Sequence, residues 1–522
     1  VDDLTAAVIA NGLVLAAEEA SIVVVKAAFS TFIVEGSDAA AAILDDRGRL
    51  VAQSAATSLA HAYSLKACAR ALLDDHPAAT MRPGDVYVMN DSYRGGIHAN
   101  DIVVFQPVFV DGVARWFTGT LIHVADVGGS SAGGMHATAT DVFQEGVQLP
   151  PVRLTDDLLQ ILALNSRSPD EMLGDVEALV AGTTAGCRRL EALVAEHGAD
   201  LLAEGIDEHL DHTERLVRQE VAALADGSYT GGYVIDDDGI HAGVPLDVRV
   251  TVTVDGDHAT IDFAGTSANV PAAVNSSLSQ TISGALFALR CFLDGAIPVN
   301  DGMFRPFDLR VPEGCLLNPR KPLPTGGRFV AVYAVVDAVW EALSQARDDR
   351  AVAASGILTP YTLASTEDAP APWLHMAFEF GGVGARRGKD GVDGTGIHFG
   401  LGRSMVPQAE PVELRCPLRV ESLDVIDGSG GAGRWSGGRG TRTTYLLLDD
   451  AVATFRCDRH ANPPPGRDGG EPGRRGGYFV VHPGGEPERL PDKAANVRLR
   501  AGDRFVIETS GGGGFGRPKE EQ

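Results

Sequence analysis

Cysteine is scarce and scattered: the six residues Cys68, Cys187, Cys291, Cys315, Cys416 and Cys457 form no C-x-x-C pair. That excludes a disulfide framework or a thiolate zinc knuckle and predicts reduced, mainly structural thiols in a cytoplasmic protein. Positive charge is short as well. Lys plus Arg number 44 against 70 Asp plus Glu, a net charge of −26 with no long basic block, which argues against nucleic acid and anionic membranes as partners. Long apolar runs are missing too. Ser21–Val34 and Phe329–Trp340 are interrupted by Lys26 and Asp337 and fall short of the ~20 residues of a spanning helix, so a soluble chain without a signal peptide is expected. There is no G-x-x-x-x-G-K-[ST] loop for a nucleotide phosphate, no G-x-S-x-G elbow, no cysteine in a nucleophile context and no tandem repeat.

What is present is apolar content of 44% in 522 residues, enough to fill the cores of two to four domains at about 150 residues each. Glycine is abundant, 62 residues concentrated in the last third. Leu4, Val8, Ile9, Leu13 and Leu15 recur at helical spacing, and Ala41–Leu44 and Arg49–Ala52 flank a polar Asp45–Gly48 turn. Helices are expected through Thr155–Leu224, with one starting at Ser168-Pro169-Asp170-Glu171. Asp247–Val254 alternates as a strand and turns through Asp255-Gly256 into Ala259–Phe263; further helices are expected near Thr281–Phe292 and over Phe329–Ala346. The fold class is therefore multi-domain α+β, with mixed helices and largely antiparallel sheets. Its parts are an N-terminal α+β domain (1–226), a mixed middle domain (227–415) and a Gly-rich β C-terminal region (416–522).

Potential ligands are densest between Asn90 and Asp126. If Asp111-Gly112 is a two-residue hairpin turn, Asp101 lies opposite Ile122, Asn100 opposite His123 and His98 opposite Ala125. His98, Asp101, His123 and Asp126 would then converge at the open end of one hairpin. Two imidazoles with one or two carboxylates suit Mn, Fe or Zn, and an open coordination position would let the metal acidify water or polarise a carbonyl. The competing reading is two ordinary strand-end histidines hydrogen-bonded to nearby aspartates, and a β-bulge would shift the register by one residue.

Other motifs are weaker. Gly428-x-Gly430-x-x-Gly433 matches a dinucleotide pattern, but no helix follows it. His209 and His212 share a helix face that is more simply a solvated one. Asp38, before a strand, is either a base or a turn cap.

Over its whole length the chain resembles the hydantoinase B/oxoprolinase family. The motifs are Asp45-x-x-Gly48-Arg-Leu-Val-Ala-Gln53, His61, Asn90-Asp91-x-Tyr93-x-Gly95-Gly96-x-His98-x-x-Asp101 and His123-x-x-Asp126-Val-Gly128-Gly129. Gln144-Glu145-Gly146, Pro298-x-Asn300-x-Gly302, Asp458-Arg459 and the Gly511–Gly516 terminus continue the series. The resemblance implies a B-type subunit that works with an A-type partner binding ATP and Mg, in a hetero-oligomer such as a heterotetramer. It implies a metal on His98, Asp101 and His123, catalytic roles for Asp38, as a general base, and for His123, and additional site residues among Asp126, Glu145 and His61. Ser92, Ile97, Ala99-Asn100 and Ala39-Ala40 depart from the family pattern and surround the expected site, so they bear on the substrate.

The function implied first is ATP-dependent opening of a cyclic amide such as a hydantoin, 5-oxoproline or a lactam. The alternatives are an acetone- or acetophenone-type ketone carboxylase subunit, and a non-catalytic scaffold.

Overall fold

The computed structural model describes all residues except 1, 31–32, 35–38, 56–58, 135, 370, 397–405, 407 and 519–522. Its first sheet has six antiparallel strands: β1 (Ala39–Asp45), β2 (Leu50–Gln53), β3 (Tyr87–Met89), β4 (Asp101–Val110), β5 (Val113–His123) and β6 (Val152–Arg153). They lie in the order β2-β1-β5-β4-β3-β6. The six longest described helices are α1 (Asp3–Ala27), α2 (Leu59–Asp75), α3 (Pro169–His197), α4 (Ala199–Ala222), α5 (Leu278–Arg290) and α6 (Phe329–Ala346).

β1 shows why the middle of this sheet is internal. Its sequence, Ala-Ala-Ala-Ala-Ile-Leu-Asp, is buried at all seven positions, the continuous apolar run expected of a strand covered on both faces. Ala40, Ala42 and Leu44 pack with Ala62, Leu65, Cys68 and Leu72 of α2. Ile43 points the other way, to Ile9 and Leu13 of α1 and Cys187 and Leu190 of α3. The period-2 alternation of a strand thus sorts β1 between two helical layers.

The hydropathy pattern places the helices well. α3 begins at Pro169, although Ser168 makes no side-chain cap, and α6 spans the expected Phe329–Ala346. α1 and α6 have the length and apolarity of bilayer spans. α6 is an internal helix, however, with Val332, Val335, Val336 and Val339 in the principal core, and α1 buries Ile9, Leu13, Ala16 and Ala17.

The second sheet is ordered Phe307–Arg310, His258–Asp262, Leu246–Asp255, Gly227–Ile235, and its first pair is parallel. A third sheet joins Leu374–Phe380, Leu358–Ser365, Ala451–Arg456 and Lys493–Leu499. It brings strands from either side of position 415 together, so the expected boundary at 415/416 does not coincide with a sheet boundary. A fourth, five-stranded sheet starts at Leu418 and lies wholly within the C-terminal region. Next to it, glycine-rich segments run backbone against backbone: Gly438 N–H donates to Val383 O and Gly512 N–H to Gly438 O. A Cβ on Gly382 would stand 1.9 Å from Gly438 O, which explains the glycine excess as a packing requirement rather than a cofactor loop.

Candidate metal centre

The β4–β5 hairpin turns where expected. Asp111 and Gly112 both have positive φ, 50° and 79°, the conformation a two-residue type I′ turn requires. Val110 pairs with Val113 and Phe109 with Ala114, but Val108 pairs with Trp116. Arg115 is an extra residue in β5, and from there the register runs one step away from the expected one. Asp101 therefore faces His123, not Ile122.

This bulge decides the chemistry. Directly opposed residues of an antiparallel pair project from the same face, so the unshifted register would have put His123 with Asn100, on the face away from Asp101. The single-residue shift brings both onto the face that α2 covers, where Val103, Phe105 and Leu121 join the core with Leu65 and Cys68. His61, on α2, is buried on that side.

His98 arrives from the turn that precedes β4. Asn90 holds this segment, donating from Nδ2 to Ala99 O (2.6 Å) and Val147 O (2.8 Å) and accepting from Leu149 N–H at 2.6 Å. Asp101 N–H donates to His98 O, closing the turn. His98 Nε2 then lies 3.0 Å from Asp101 Oδ2 and His123 Nδ1 3.3 Å from Asp101 Oδ1. The imidazole centroids are 4.8 Å apart, tilted by 52°.

Burial sets the protonation states. It pushes the imidazolium of His98 down to about 3, with Arg328 adding to the effect, and that of His61 to about 4. For Asp101 burial works against ionisation, but His98, the hydrogen bonds from His123 and His98, and Arg328 outweigh it and hold the carboxyl well below its usual range. At neutral pH the neutral imidazole of His98 thus faces an ionised carboxylate, the forms in which these groups bind a cation.

The donor set fits a transition metal. One ligand atom from each of His98, Asp101 and His123 lies within 4.8 Å of the others, and all three residues are buried. Side-chain adjustments of about an ångström would bring them to the usual ~2.1 Å from a common point. Two nitrogens and one carboxylate oxygen suit Mn, Fe or Zn.

The remaining expected residues have other surroundings. Asp126 is not in the cluster. Its carboxylate accepts from the backbone N–H groups of Gly128, Gly133 and Arg167 at 2.8–2.9 Å and pairs with Arg167 Nη1 at 3.1 Å, so it clamps the loop after His123. Glu145 accepts from Gly326 N–H (2.5 Å) and Thr325 N–H (3.2 Å), and burial pushes its carboxyl up to about 7. Asp38 lies outside the described residues; Ala39, which follows it, pairs with Ile122 beside His123. His209 and His212 remain on α4, apart from the three.

Arg328 was not identified from the sequence. It is buried, with Nη2 3.4 Å from Asp101 Oδ2. Its only sequence signal is an arginine directly before an apolar helix, and nothing in that pattern ties it to a residue 227 positions earlier.

Comparison with known proteins follows the same span. Residues 2–518 match the family model described as Hydantoinase B/oxoprolinase. The chain is 29% identical to a protein of Pseudomonas sp. (strain NS671) provisionally named as the B component of a D-/L-hydantoinase, over 100% of this chain and 91% of that one. It is 27% identical to 5-oxoprolinase PfmaA of Pestalotiopsis fici, matching over 99% of its own length but only 42% of that larger protein. The crystal structure of ATP-dependent caprolactamase from Pseudomonas jessenii superposes with a TM-score of 0.92 at 25% identity, covering 99% of this chain and 92% of that one.

Proposed function

The chain belongs to the hydantoinase B/oxoprolinase family, and from that premise we propose that it is the metal-bearing subunit of an ATP-dependent enzyme that opens a cyclic amide. The substrate class is a hydantoin, 5-oxoproline or a lactam, and the second component is an A-type, ATP-binding chain. One observation carries the reading: two imidazoles and an ionised carboxylate meet at a buried point in a chain matched to that family almost end to end.

Amide resonance makes a ring carbonyl a poor electrophile. Transfer of the γ-phosphoryl group of ATP to the carbonyl oxygen, on the A-type chain with its Mg, converts that oxygen into a leaving group. Water then attacks the carbonyl carbon, the ring C–N bond of the adduct breaks as the nitrogen takes up a proton, and a second water hydrolyses the resulting acyl phosphate to carboxylate and phosphate. His98, Asp101 and His123 would hold a Mn, Fe or Zn ion, which when bound supplies the Lewis acidity that makes water a nucleophile near neutral pH. Asp38 is the proposed base that takes the proton from that water. The surrounding core excludes bulk solvent, which favours capture of an activated intermediate over its side reactions.

The test is ATP-dependent turnover by the chain co-purified with its A-type partner, offered hydantoins, 5-oxoproline and lactams in turn. Ring opening coupled to ADP release, abolished in a folded His98→Ala/His123→Ala variant, is the expected result. Turnover only with a ketone plus bicarbonate would replace the hydrolase with a carboxylase. Full activity in the double variant would leave the chain a scaffold.

A further inference from the structure

We propose that Arg328 is a positioning residue for the Asp101 carboxylate, and that Glu145 acts on the site through Arg328. This rests on the metal-binding reading of His98, Asp101 and His123. The three ligands come from residues 98–123, yet the group that completes their surroundings comes from the middle of the chain. Arg328 sits immediately before α6, 4% exposed, with Nη2 3.4 Å from Asp101 Oδ2. That oxygen is the one facing His98 Nε2 at 3.0 Å. Its guanidinium also lies 4.4 Å from the centre of the Phe329 ring, which limits its swing.

The loop carrying Arg328 is fastened at several points. Glu145 accepts from the N–H groups of both Thr325 and Gly326. Thr325 Oγ1 bonds Ser92 Oγ at 3.1 Å, which ties the loop to the segment leading to His98. Gly327 N–H donates to Ala273 O at 2.7 Å, and Arg328 N–H donates back to Thr325 O at 3.1 Å. A Cβ on Gly326 would fall 2.8 Å from Glu145 Oε1, so the loop is seated directly on that carboxylate. Glu145 thus reaches the centre by holding the loop, and Arg328 reaches it by direct contact with Asp101.

The consequence is physical. A carboxylate buried among imidazole rings can rotate, and rotation moves its oxygens relative to both of them. A planar guanidinium on one oxygen fixes that rotation and offsets the cost of burying the negative charge. Partners one contact removed from a metal commonly change its affinity by about 10–100-fold.

The experiment is competition of the purified chain with a chelator for Mn2+, together with the visible absorption bands of the Co2+-loaded chain. Thermal unfolding without metal controls for folding. Arg328→Met is expected to weaken Mn2+ binding about tenfold or more and to shift the Co2+ bands. Arg328→Lys, which keeps the charge but not the fork, falls between Arg328→Met and wild type and guards against a variant that does not fold. Glu145→Gln weakens binding by less, and adds no further loss in the Arg328→Met background because both act along one path. Wild-type affinity and spectra in both Arg328 variants would overturn the proposal, as would fully additive losses. Failure of the wild-type chain itself to bind Mn2+ or Co2+ would bring down the metal reading, and this inference with it.

Discussion

Two clusters of buried ionisable groups, one in the hairpin and one where the second sheet meets the C-terminal region, differ in how their carboxylates are used. In the hairpin, Asp101 faces two imidazoles and a guanidinium. At the junction, Asp236 accepts from the backbone N–H groups of His460, Ala461 and Asn462 and from Asn462 Nδ2, all at 2.8–2.9 Å. Asp458 accepts from Tyr233 Oη (2.7 Å) and from Asp236 N–H (2.8 Å), with Lys493 Nζ 3.6 Å away. Where backbone donors occupy the lone pairs, a buried acid is a fastener. Where the neighbours are imidazoles that could join it in holding a cation, it belongs to a candidate metal centre. Buried charge alone therefore does not mark function; the identity of the partners does.

The sharpest way to break this comparison is to remove both imidazoles. His98→Ala/His123→Ala should lose metal uptake by more than about 100-fold, beyond the 10–100-fold typical of mere supporting residues, as read by elemental mass spectrometry on folded protein. Making one substitution in both clusters sharpens it further. Asp101→Asn should abolish metal uptake and also lower stability, since it removes the buried counter-charge of Arg328, whereas Asp236→Asn should leave uptake intact and cost about 3 kcal/mol, because it strips a charge from four donors; metal analysis beside denaturant unfolding separates the two.

A smaller effect separates the clusters by pH. His460 Nδ1 is 2.9 Å from Asp492 Oδ1. Burial opposes its protonation, but Cys457 and Asp492 outweigh that and raise its pKa to about 9. Since the folded value lies above the unfolded value near 6.5, the stabilisation is complete below about pH 6.5 and is lost as pH rises through about 9. It amounts to about 3 kcal/mol at most, and a His460→Gln variant should lack this alkaline loss in thermal melts from about pH 6 to 10. The smallest effect belongs to the turn. Gly112→Ala, at φ 79°, should cost about 1 kcal/mol without changing metal uptake, since the bulge and the pairing with β1 still set the register.

Much of the candidate site could be read in the sequence because it is local. The Asp111-Gly112 turn, the apolar flanks and the spacing of His98, Asp101 and His123 all lie within 26 residues. The bulge at Arg115 was not legible, since no residue type announces it, and the pairing predicted without it put His123 beside the wrong neighbour. Asp126 was misplaced for a related reason: its partners Gly133 and Arg167 belong to a loop and a helix approach whose path only the folded chain defines. The terminal glycines signalled a β-rich region, but their role in letting Gly382, Gly438 and Gly512 backbones touch depends on segments far apart in sequence.

By itself the sequence determined which groups are available, where the chain turns, which stretches bury both faces and the family to which it belongs. These follow from side-chain chemistry and short-range periodicity, which act between residues a few positions apart. Only the tertiary structure decided that Asp101 and His123 share a face, that Asp126 is spent on backbone donors and that Arg328 reaches Asp101. Each depends on a one-residue register or on packing between distant segments, and a step of one residue in a strand turns a side chain to the opposite side of the sheet.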